Sequence, residues 1–282
     1  MDDAPIADPI AAKEAAKPVP TDAFIVIPVR NTVLFPEVVM PITINRPISI
    51  AAAQQAAREQ RQIVVVLQRD PENLDPKAGD LHEIGVVANV LRYIAASDTE
   101  HHLICQGVQR FRISDLVDGW PFLLARGLHV PEPTDTGPEV EARFVNLRQQ
   151  ALEILDLVPQ APAELRATIA GISLPGVLAD MSAAYLDAAP PEKQDILETI
   201  PLVPRLDKII KLTAHRLQVL RLSHEIGAQT QATFSERQRQ AVALAASGYT
   251  RAEIAARLGV STDMVKHAIG EGRNTLSCHF RR

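Results

Sequence analysis

Residues 248–273 read GYTRAEIAARLGVSTDMVKHAIGEGR and predict two short helices separated by one tight turn. Thr250 is placed to cap the first helix, because its hydroxyl can accept one of the backbone N–H groups that a helix start leaves unpaired. Gly259 ends that helix, since glycine enters the left-handed conformation without a Cβ clash. Ser261 then caps the second helix. Apolar residues recur on one face of each helix, as a helix-turn-helix requires: Ile254, Ala255, Leu258, Met264, Val265, Ala268 and Ile269.

A third amphipathic helix is predicted at residues 235–247, SERQRQAVALAAS, whose Val242, Leu244 and Ala245 would close a small core. With residues 254–266, IAARLGVSTDMVK, this unit resembles the DNA-binding domains of LuxR-type regulators and region 4 of sigma factors. The resemblance implies that the helix starting at Thr262 enters the major groove of double-stranded DNA. The residues expected to face DNA are Arg251, Thr262, Asp263, Lys266, His267 and Arg273. Among these, Asp263 suits DNA only where it accepts a hydrogen bond from a cytosine amine.

The charge of the tail supports this interpretation. Residues 235–282 carry eight Lys or Arg and four Asp or Glu, a net charge of +4, which leaves −9 for the rest of a chain whose total is −5. A basic tail on an acidic body suits contact with phosphates. The alternative is a solvated three-helix bundle that packs against a neighbour or a partner.

Composition limits the class of protein. The chain has 282 residues, of which 46% are hydrophobic, so two or three globular domains are expected. Residues 1–21 predict a disordered leader without a signal peptide. The longest aliphatic run, residues 63–67, is far shorter than the roughly 20 residues that cross a bilayer, so no membrane contact is expected. Cys105 and Cys278 lie far apart in sequence, which fits the reducing cytoplasm better than a disulfide framework.

The secondary structure changes along the chain from strands to helices. Strands are predicted at residues 24–29, 39–44, 63–67, 85–93, 102–106 and 122–128, with one Ala-rich helix at residues 49–60. Residues 131–138, PEPTDTGP, break both periodicities and predict a domain boundary. From residue 140 the pattern is helical. Its last segment, residues 204–231, is long enough to extend towards a second copy of the chain or towards the tail.

Two stretches of the front half resemble the N-terminal substrate-binding domain of Lon, the ATP-dependent protease. They are residues 27–56, beginning IPVRNTVLFPEVVMPITINRP, and residues 107–113, GVQRFRI. The helical segments LPGVLADMSAAYL and RLDKIIKLTAHRLQVLRLSHEIGAQT continue the resemblance to about residue 240. It implies an α+β fold with a β-rich, PUA-like barrel, a helical bundle and a long helix. It also implies recognition of unfolded or extended polypeptide.

The catalytic parts of Lon have no counterpart in this sequence. No G-x-x-x-x-G-K-[ST] loop occurs to hold the phosphates of ATP, and no G-x-S-x-G or Cys and His arrangement supplies a nucleophile. Neither His224-Glu225 nor His82-Glu83 has the second histidine of a zinc-protease motif, and the adjacent His101 and His102 would point to opposite faces of a strand. We therefore expect no enzyme activity, no metal and no cofactor.

Two further interpretations concern the front half. Arg30 among aliphatic residues is expected to form a salt bridge within the barrel, because an unpaired buried guanidinium is costly. RNA, a partner of some PUA-like barrels, is disfavoured because residues 70–80 are acidic and aromatic residues make up only 4% of the chain.

The predicted organisation is a leader (1–21), a β-rich subdomain (22–130), a helical subdomain (139–232) and a small all-α helix-turn-helix domain (234–282). The favoured function is a non-catalytic regulator, in which the front half senses a polypeptide and the tail binds DNA. One alternative is an adaptor of ATP-dependent proteolysis whose tail serves assembly. Another is a shortened Lon-like product without a function of its own.

Overall fold

The computed structural model describes residues 19–97, 99–158 and 163–269, and it has an α+β architecture, as predicted. The chain divides into two compact units. The first contains the described residues up to Gln149 together with Thr168–Leu212, and the second contains Gln150–Ala167 and the described residues from Thr213 onward. All six strands belong to the first unit. The four-domain division predicted from the sequence stays a prediction.

The strands of the first unit form one sheet with the order β2-β5-β4-β3-β1-β6, and an additional pairing of β5 with β6 closes five of the strands into a barrel. The parallel pair β1 and β3 is the exception among otherwise antiparallel neighbours. The strands are β1 (Phe24–Val29), β2 (Val39–Ile44), β3 (Ile63–Leu67), β4 (Ile84–Ala95), β5 (His101–Val117) and β6 (Leu124–Val130).

The barrel interior forms because its strands are rich in β-branched residues that fit a pleated, buried surface. The whole of β3, IVVVL, is buried, and residues of five strands pack together around Phe111. Phe24 contacts the Phe111 ring edge-on, at 5.0 Å between ring centroids.

Strand β5 runs for 17 residues, although the sequence predicted a strand only at residues 102–106. The prediction ended at Gly107 because glycine weakens a strand when it is judged alone. In the folded chain Gly107 lets the preceding loop lie directly on the strand. Its N–H donates to the Val38 carbonyl at 2.9 Å, and an added Cβ would meet the Phe35 carbonyl oxygen at 2.1 Å. The strand therefore continues and pairs with β6.

Eight helices occur in the described residues, besides one short 3-10 turn. They are α1 (Pro47–Glu59), α2 (Pro138–Leu157), α3 (Ala163–Gly171), α4 (Pro175–Tyr185), α5 (Pro190–Glu198), α6 (Leu202–Ala246), α7 (Arg251–Leu258) and α8 (residues 262–269). In the part of the chain that the structure covers, no helix has the length and hydropathy that a membrane crossing needs.

The long helix and the first tail helix, predicted separately at residues 204–231 and 235–247, are one continuous helix, α6, of 45 residues. The separation was wrong because residues 228–240, AQTQATFSERQRQ, contain neither Pro nor Gly. Polar straight-chain residues such as Gln, Glu and Arg lose little freedom in a helix, so their polarity alone does not end one.

A buried ion network lies in the first unit between β5, α4 and α6. Arg110 of β5 donates to both carboxylate oxygens of Asp180 in α4, at 2.6 and 2.8 Å. Arg205 of α6 donates to Asp180 at 3.3 Å and to Glu132 at 3.1 Å. The side chains of Arg110, Asp180 and Arg205 are 2%, 3% and 0% exposed. Each charge therefore depends on the others for compensation.

Candidate functional site

The helix-turn-helix of the second unit begins each of its short helices with the predicted cap. The N–H of Glu253 donates to the Thr250 hydroxyl at 3.4 Å, and the Glu253 carboxylate accepts from the Thr250 N–H at 2.8 Å. Gly259 closes α7 with φ of +64°, a left-handed conformation that favours glycine. The Ser261 hydroxyl accepts from the Met264 N–H at 3.2 Å and starts α8. The predicted caps of both helices are confirmed.

The core of this unit is formed by three helices. Its buried residues are Ala241 of α6, Ile254 and Ala255 of α7, and Val265 and Ala268 of α8. Partly buried residues pack against it, among them Leu244, Ala245, Leu258, Val260 and Ile269. Leu244 and Ala245 were predicted to close this core and pack against it, whereas the buried residue that α6 contributes to the cluster is Ala241 rather than the predicted Val242.

The opposite face of α8 carries the predicted DNA-facing residues. Thr262, Asp263, Lys266 and His267 are all exposed. Thr262 and Lys266 are four residues apart, as are Asp263 and His267, so each pair lies on one side of the helix. A helix that buries Val265 and leaves these four side chains in solvent has the division of faces that a recognition helix needs.

The remaining predicted DNA-facing residues lie outside α8. Arg251 is exposed in the first turn of α7, and Arg273 lies outside the described residues. Arg257, near the end of α7, stacks on the Tyr249 ring at 4.4 Å from its centroid. The hydrogen bonds from Thr250 hold the pKa of Glu253 below its ordinary value, so this carboxylate in the first turn stays charged.

The first unit presents apolar side chains to solvent on and beside its sheet. These exposed residues are Val39, Ile48, Leu74, Leu91, Ile94, Val108 and Leu128. They occur on β2, β4, β5 and β6, on α1 and in the loop after β3. Exposed apolar side chains near a sheet with an open edge are a feature of surfaces that bind extended polypeptide.

Within the part of the chain that the structure describes, Arg30 does not form the salt bridge that the sequence predicted. None of the ion pairs among the described residues includes it, and its Nε is buried without a hydrogen-bond partner. It shares the lining of a cavity of about 360 Å³ with Arg46 and Ser49. Sequence reasoning missed these two residues, because their proximity to Arg30 depends on how β1, β2 and α1 pack. The one local signal was Arg46 directly before Pro47, a residue that commonly starts a helix.

The two adjacent histidines of β5 have different environments. His101 is buried and its Nδ1 lies 2.5 Å from the Tyr93 hydroxyl, whereas the Nδ1 of His102 lies 3.1 Å from the Thr43 hydroxyl. No group of three or more potential metal ligands occurs among residues 19–97, 99–158 and 163–269.

Two protein families match this chain, one over its acidic front part and the other over its basic tail. Residues 24–215 match the family described as the ATP-dependent protease La (LON) substrate-binding domain, and residues 232–276 match Sigma-70, region 4. The N terminal domain of Mycobacterium avium complex Lon protease superposes with a TM-score of 0.57, covering 68% of this chain and 98% of that one. At 22% identity this likeness concerns the fold alone.

Curated relatives give closer matches. The chain is 54% identical over 226 residues to Lon protease of Phenylobacterium zucineum and 51% identical over 219 residues to Lon protease of Methylocella silvestris. The alignments cover 80% and 78% of this chain but 28% and 27% of those relatives. The chain thus spans less than a third of the length of the Lon proteases it matches.

Proposed function

Because the chain belongs to the Lon substrate-binding domain family over residues 24–215, we propose that its first unit binds extended polypeptide and that its helix-turn-helix binds double-stranded DNA, making it a non-catalytic cytoplasmic regulator. One observation carries the proposal: a single chain joins a Lon-type domain to a capped three-helix core whose α8 leaves Thr262, Lys266 and His267 in solvent. The division into leader, β-rich, helical and helix-turn-helix domains is part of this proposal.

Support for polypeptide binding comes from the family and from the surface of the first unit. An extended chain offers apolar side chains and unpaired backbone groups together, which suits the exposed apolar residues of the first unit and the unpaired edge of β2. The full chain should bind the unfolded form of one test protein more tightly than its native form. Equal binding of the two forms would contradict this half of the proposal.

Support for DNA binding comes from the sigma-factor match, the charge of +4 on residues 235–282 and the exposed face of α8. Electrostatic contact with phosphates makes affinity fall with salt, by a slope that reflects the number of contacts. Lys266→Ala should therefore reduce the salt slope for random duplex DNA by about one if Lys266 contacts phosphate. Binding is measured by fluorescence anisotropy of a labelled duplex over a series of salt concentrations.

Two control variants sharpen the DNA experiment. Lys211→Ala removes the same charge from an exposed position on the first half of α6 and should leave the slope unchanged. Val265→Asp places a charge in the three-helix core and should abolish DNA binding while the first unit keeps its stability. Absence of salt-dependent binding in the unaltered protein would favour the adaptor function, in which the tail serves assembly.

The proposal of a non-catalytic protein has its own test. Purified chain should neither hydrolyse ATP nor degrade an unfolded substrate such as casein, because its sequence has neither the phosphate-binding loop nor the nucleophile motifs. Either activity, if it persists through rigorous purification, would contradict the proposal.

A further inference from the structure

A cavity of about 360 Å³ in the first unit is lined by side chains with polar atoms that lack hydrogen-bond partners. It lies between the end of β1 and strand β2, and it is lined by residues 28–32, residues 41–46 and Ser49. The Arg30 Nε, the Arg46 Nη1 and the Ser49 Oγ are all buried without a hydrogen bond in the structure. Ser49 is only 2% exposed, so water has little access to its hydroxyl. Buried donors without acceptors are costly, which indicates that an acceptor belongs in this cavity.

The location of the cavity follows from the strand pairing. Among the strands that the structure describes, β2 is at the end of the strand order and pairs with β5 alone, and β1 pairs with β6 only at Phe24 and Ile25. The end of β1 and the second edge of β2 therefore face an opening in the sheet. Pro28 and Pro41, both in the lining, have no N–H to offer a further strand. The side chains at this opening supply positive charge and hydrogen-bond donors.

Three sources of positive potential meet at this opening. Arg30 and Arg46 lie close enough for their charges to interact, and burial together with the neighbouring Arg30 lowers the pKa of Arg46. The third source is the start of α1, a helix of 13 residues with no acidic residue in its first turn and no side-chain cap. Ser49 belongs to that first turn. The unpaired N–H groups at a helix start favour an anion.

A hydrogen bond orients Arg46, and Arg30 is partly buried. The Arg46 Nη2 donates to the Gln68 side chain, whose own amide donates to the Asn73 carbonyl at 3.0 Å. Arg30 follows β1 directly and is only partly exposed. The charge of Asp75 acts on the pKa of Arg46 in the opposite direction, but no ion pair among the described residues joins Asp75 to either arginine. The pair thus keeps an excess of positive charge.

A second cavity, of about 470 Å³, shares Arg30, Asn45 and Arg46 with the first. Apart from Asp75, its remaining lining is apolar and includes Ile48 and Leu74, which are 38% and 73% exposed. A free phosphate could satisfy the first cavity but would leave the second one without a ligand. A carboxylate with an apolar side chain beside it fits both, because the planar guanidinium matches a carboxylate and Ile48 and Leu74 match the apolar group.

We propose that Arg30, Arg46 and Ser49 form a binding site for the carboxylate of an acidic residue in an extended polypeptide, with a flanking apolar side chain received by Ile48 and Leu74. This proposal rests on the proposed function of the first unit and specifies the kind of segment that it selects. Arg30 and Arg46 bind the carboxylate, Ser49 donates a further hydrogen bond, and the start of α1 stabilises the charge.

The test compares matched peptides bound to the full chain by fluorescence anisotropy. The probe is a short unstructured peptide with Glu beside Leu, and its two partners carry Gln in place of Glu or Ser in place of Leu. Each replacement should raise Kd by about tenfold or more, the factor expected when a charge-assisted hydrogen bond or a buried apolar group is lost. Glu and Gln peptides that bind alike would overturn the proposal.

Protein variants then locate the site. Arg30→Gln and Ser49→Ala should weaken binding of the Glu peptide and leave binding of the Gln peptide nearly unchanged, because each variant removes only an interaction with the peptide carboxylate. Arg58→Gln is the matched control, because Arg58 is exposed near the end of the same helix and carries the same charge. A loss in Arg58→Gln equal to that in Arg30→Gln would mean general electrostatic attraction and would overturn the proposal. Unfolding curves of each variant check that the fold is retained.

Inorganic phosphate separates the remaining possibilities. If phosphate binds the unaltered chain but not Arg30→Gln, while the peptides show no preference for Glu, the cavity takes a free oxyanion and the peptide proposal is wrong. If unfolded protein is still preferred over native protein in that case, the proposed function stands without this site. If that preference is also absent, the proposed function fails together with the inference.

Discussion

The buried ion network gives the strongest single prediction about stability. Asp180 supplies the carboxylate that Arg110 and Arg205 share, at distances of 2.6, 2.8 and 3.3 Å. Asp180→Asn keeps the size of the side chain but removes its charge and turns an amide N–H₂ towards a guanidinium. The two arginines would then have only Glu132, which is partly exposed, to balance them.

The expected loss is about 3–5 kcal/mol in the free energy of unfolding, the range found when one partner of a buried ion pair is removed. With a urea m-value of about 2 kcal/mol/M, this corresponds to a midpoint lower by about 1.5–2.5 M. Trp120 is the single tryptophan of the chain and belongs to the first unit, so its fluorescence follows the unfolding of this unit.

The control is Asp195→Asn, the same replacement in an exposed ion pair. Asp195 lies 2.6 Å from the Lys208 Nζ, with side-chain exposures of 62% and 40%. An exposed pair contributes about 0–1 kcal/mol, so this midpoint should move little. A midpoint for Asp180→Asn as high as that of Asp195→Asn would refute the reasoning. The double variant Arg110→Met with Asp180→Leu should lose less unfolding free energy than Asp180→Asn. It keeps the Arg205–Glu132 pair and leaves no second cation without a compensating charge.

Three further predictions concern local features. Gly107→Ala should lower the free energy of unfolding by about 1–3 kcal/mol through a backbone clash, whereas Gly79→Ala, with nothing within 4 Å of its added Cβ, should have little effect in the same urea titration. Burial raises the pKa of the Cys105 thiol to about 12, so with the other cysteine replaced by serine the folded chain should not react with iodoacetamide at neutral pH until it is unfolded. Hydrogen bonds to Thr250 lower the pKa of the Glu253 carboxyl. The stability that this carboxylate gives to α7 is therefore present above the ordinary pKa of 4.5 and is lost as the pH falls through the lowered pKa. The backbone amide chemical shift of residue 253, measured by NMR, should follow this titration, and Glu253→Gln should abolish the titration.

Local sequence signals sufficed for the helix-turn-helix. The caps Thr250 and Ser261, the left-handed Gly259 and the apolar faces of both helices were read correctly, because each depends on residues within one or two turns. The same holds for β1, β2 and β3, whose predicted bounds agree with the structure. Short-range preferences and global packing agree in these segments.

The sequence alone was insufficient where a residue's role depends on distant partners. It ended β5 at Gly107, but the loop that lies on this glycine comes from about seventy residues earlier, and only the closed barrel shows why the strand continues. It also divided α6 into two helices, because a polar segment does not reveal whether tertiary contacts stop a helix or allow it to continue.

By itself, then, the sequence determined the family, the α+β class and the helix-turn-helix, since ordered motifs and periodic apolar positions are local properties of a chain. Only the tertiary structure decided that Arg30 has no ion-pair partner among the described residues and that it shares a cavity with Arg46 and Ser49. The same is true of Arg110 and Asp180, which are 70 residues apart and form a buried pair. Burial and charge compensation arise from contacts between segments that are remote in sequence, and no local pattern specifies which segments will meet.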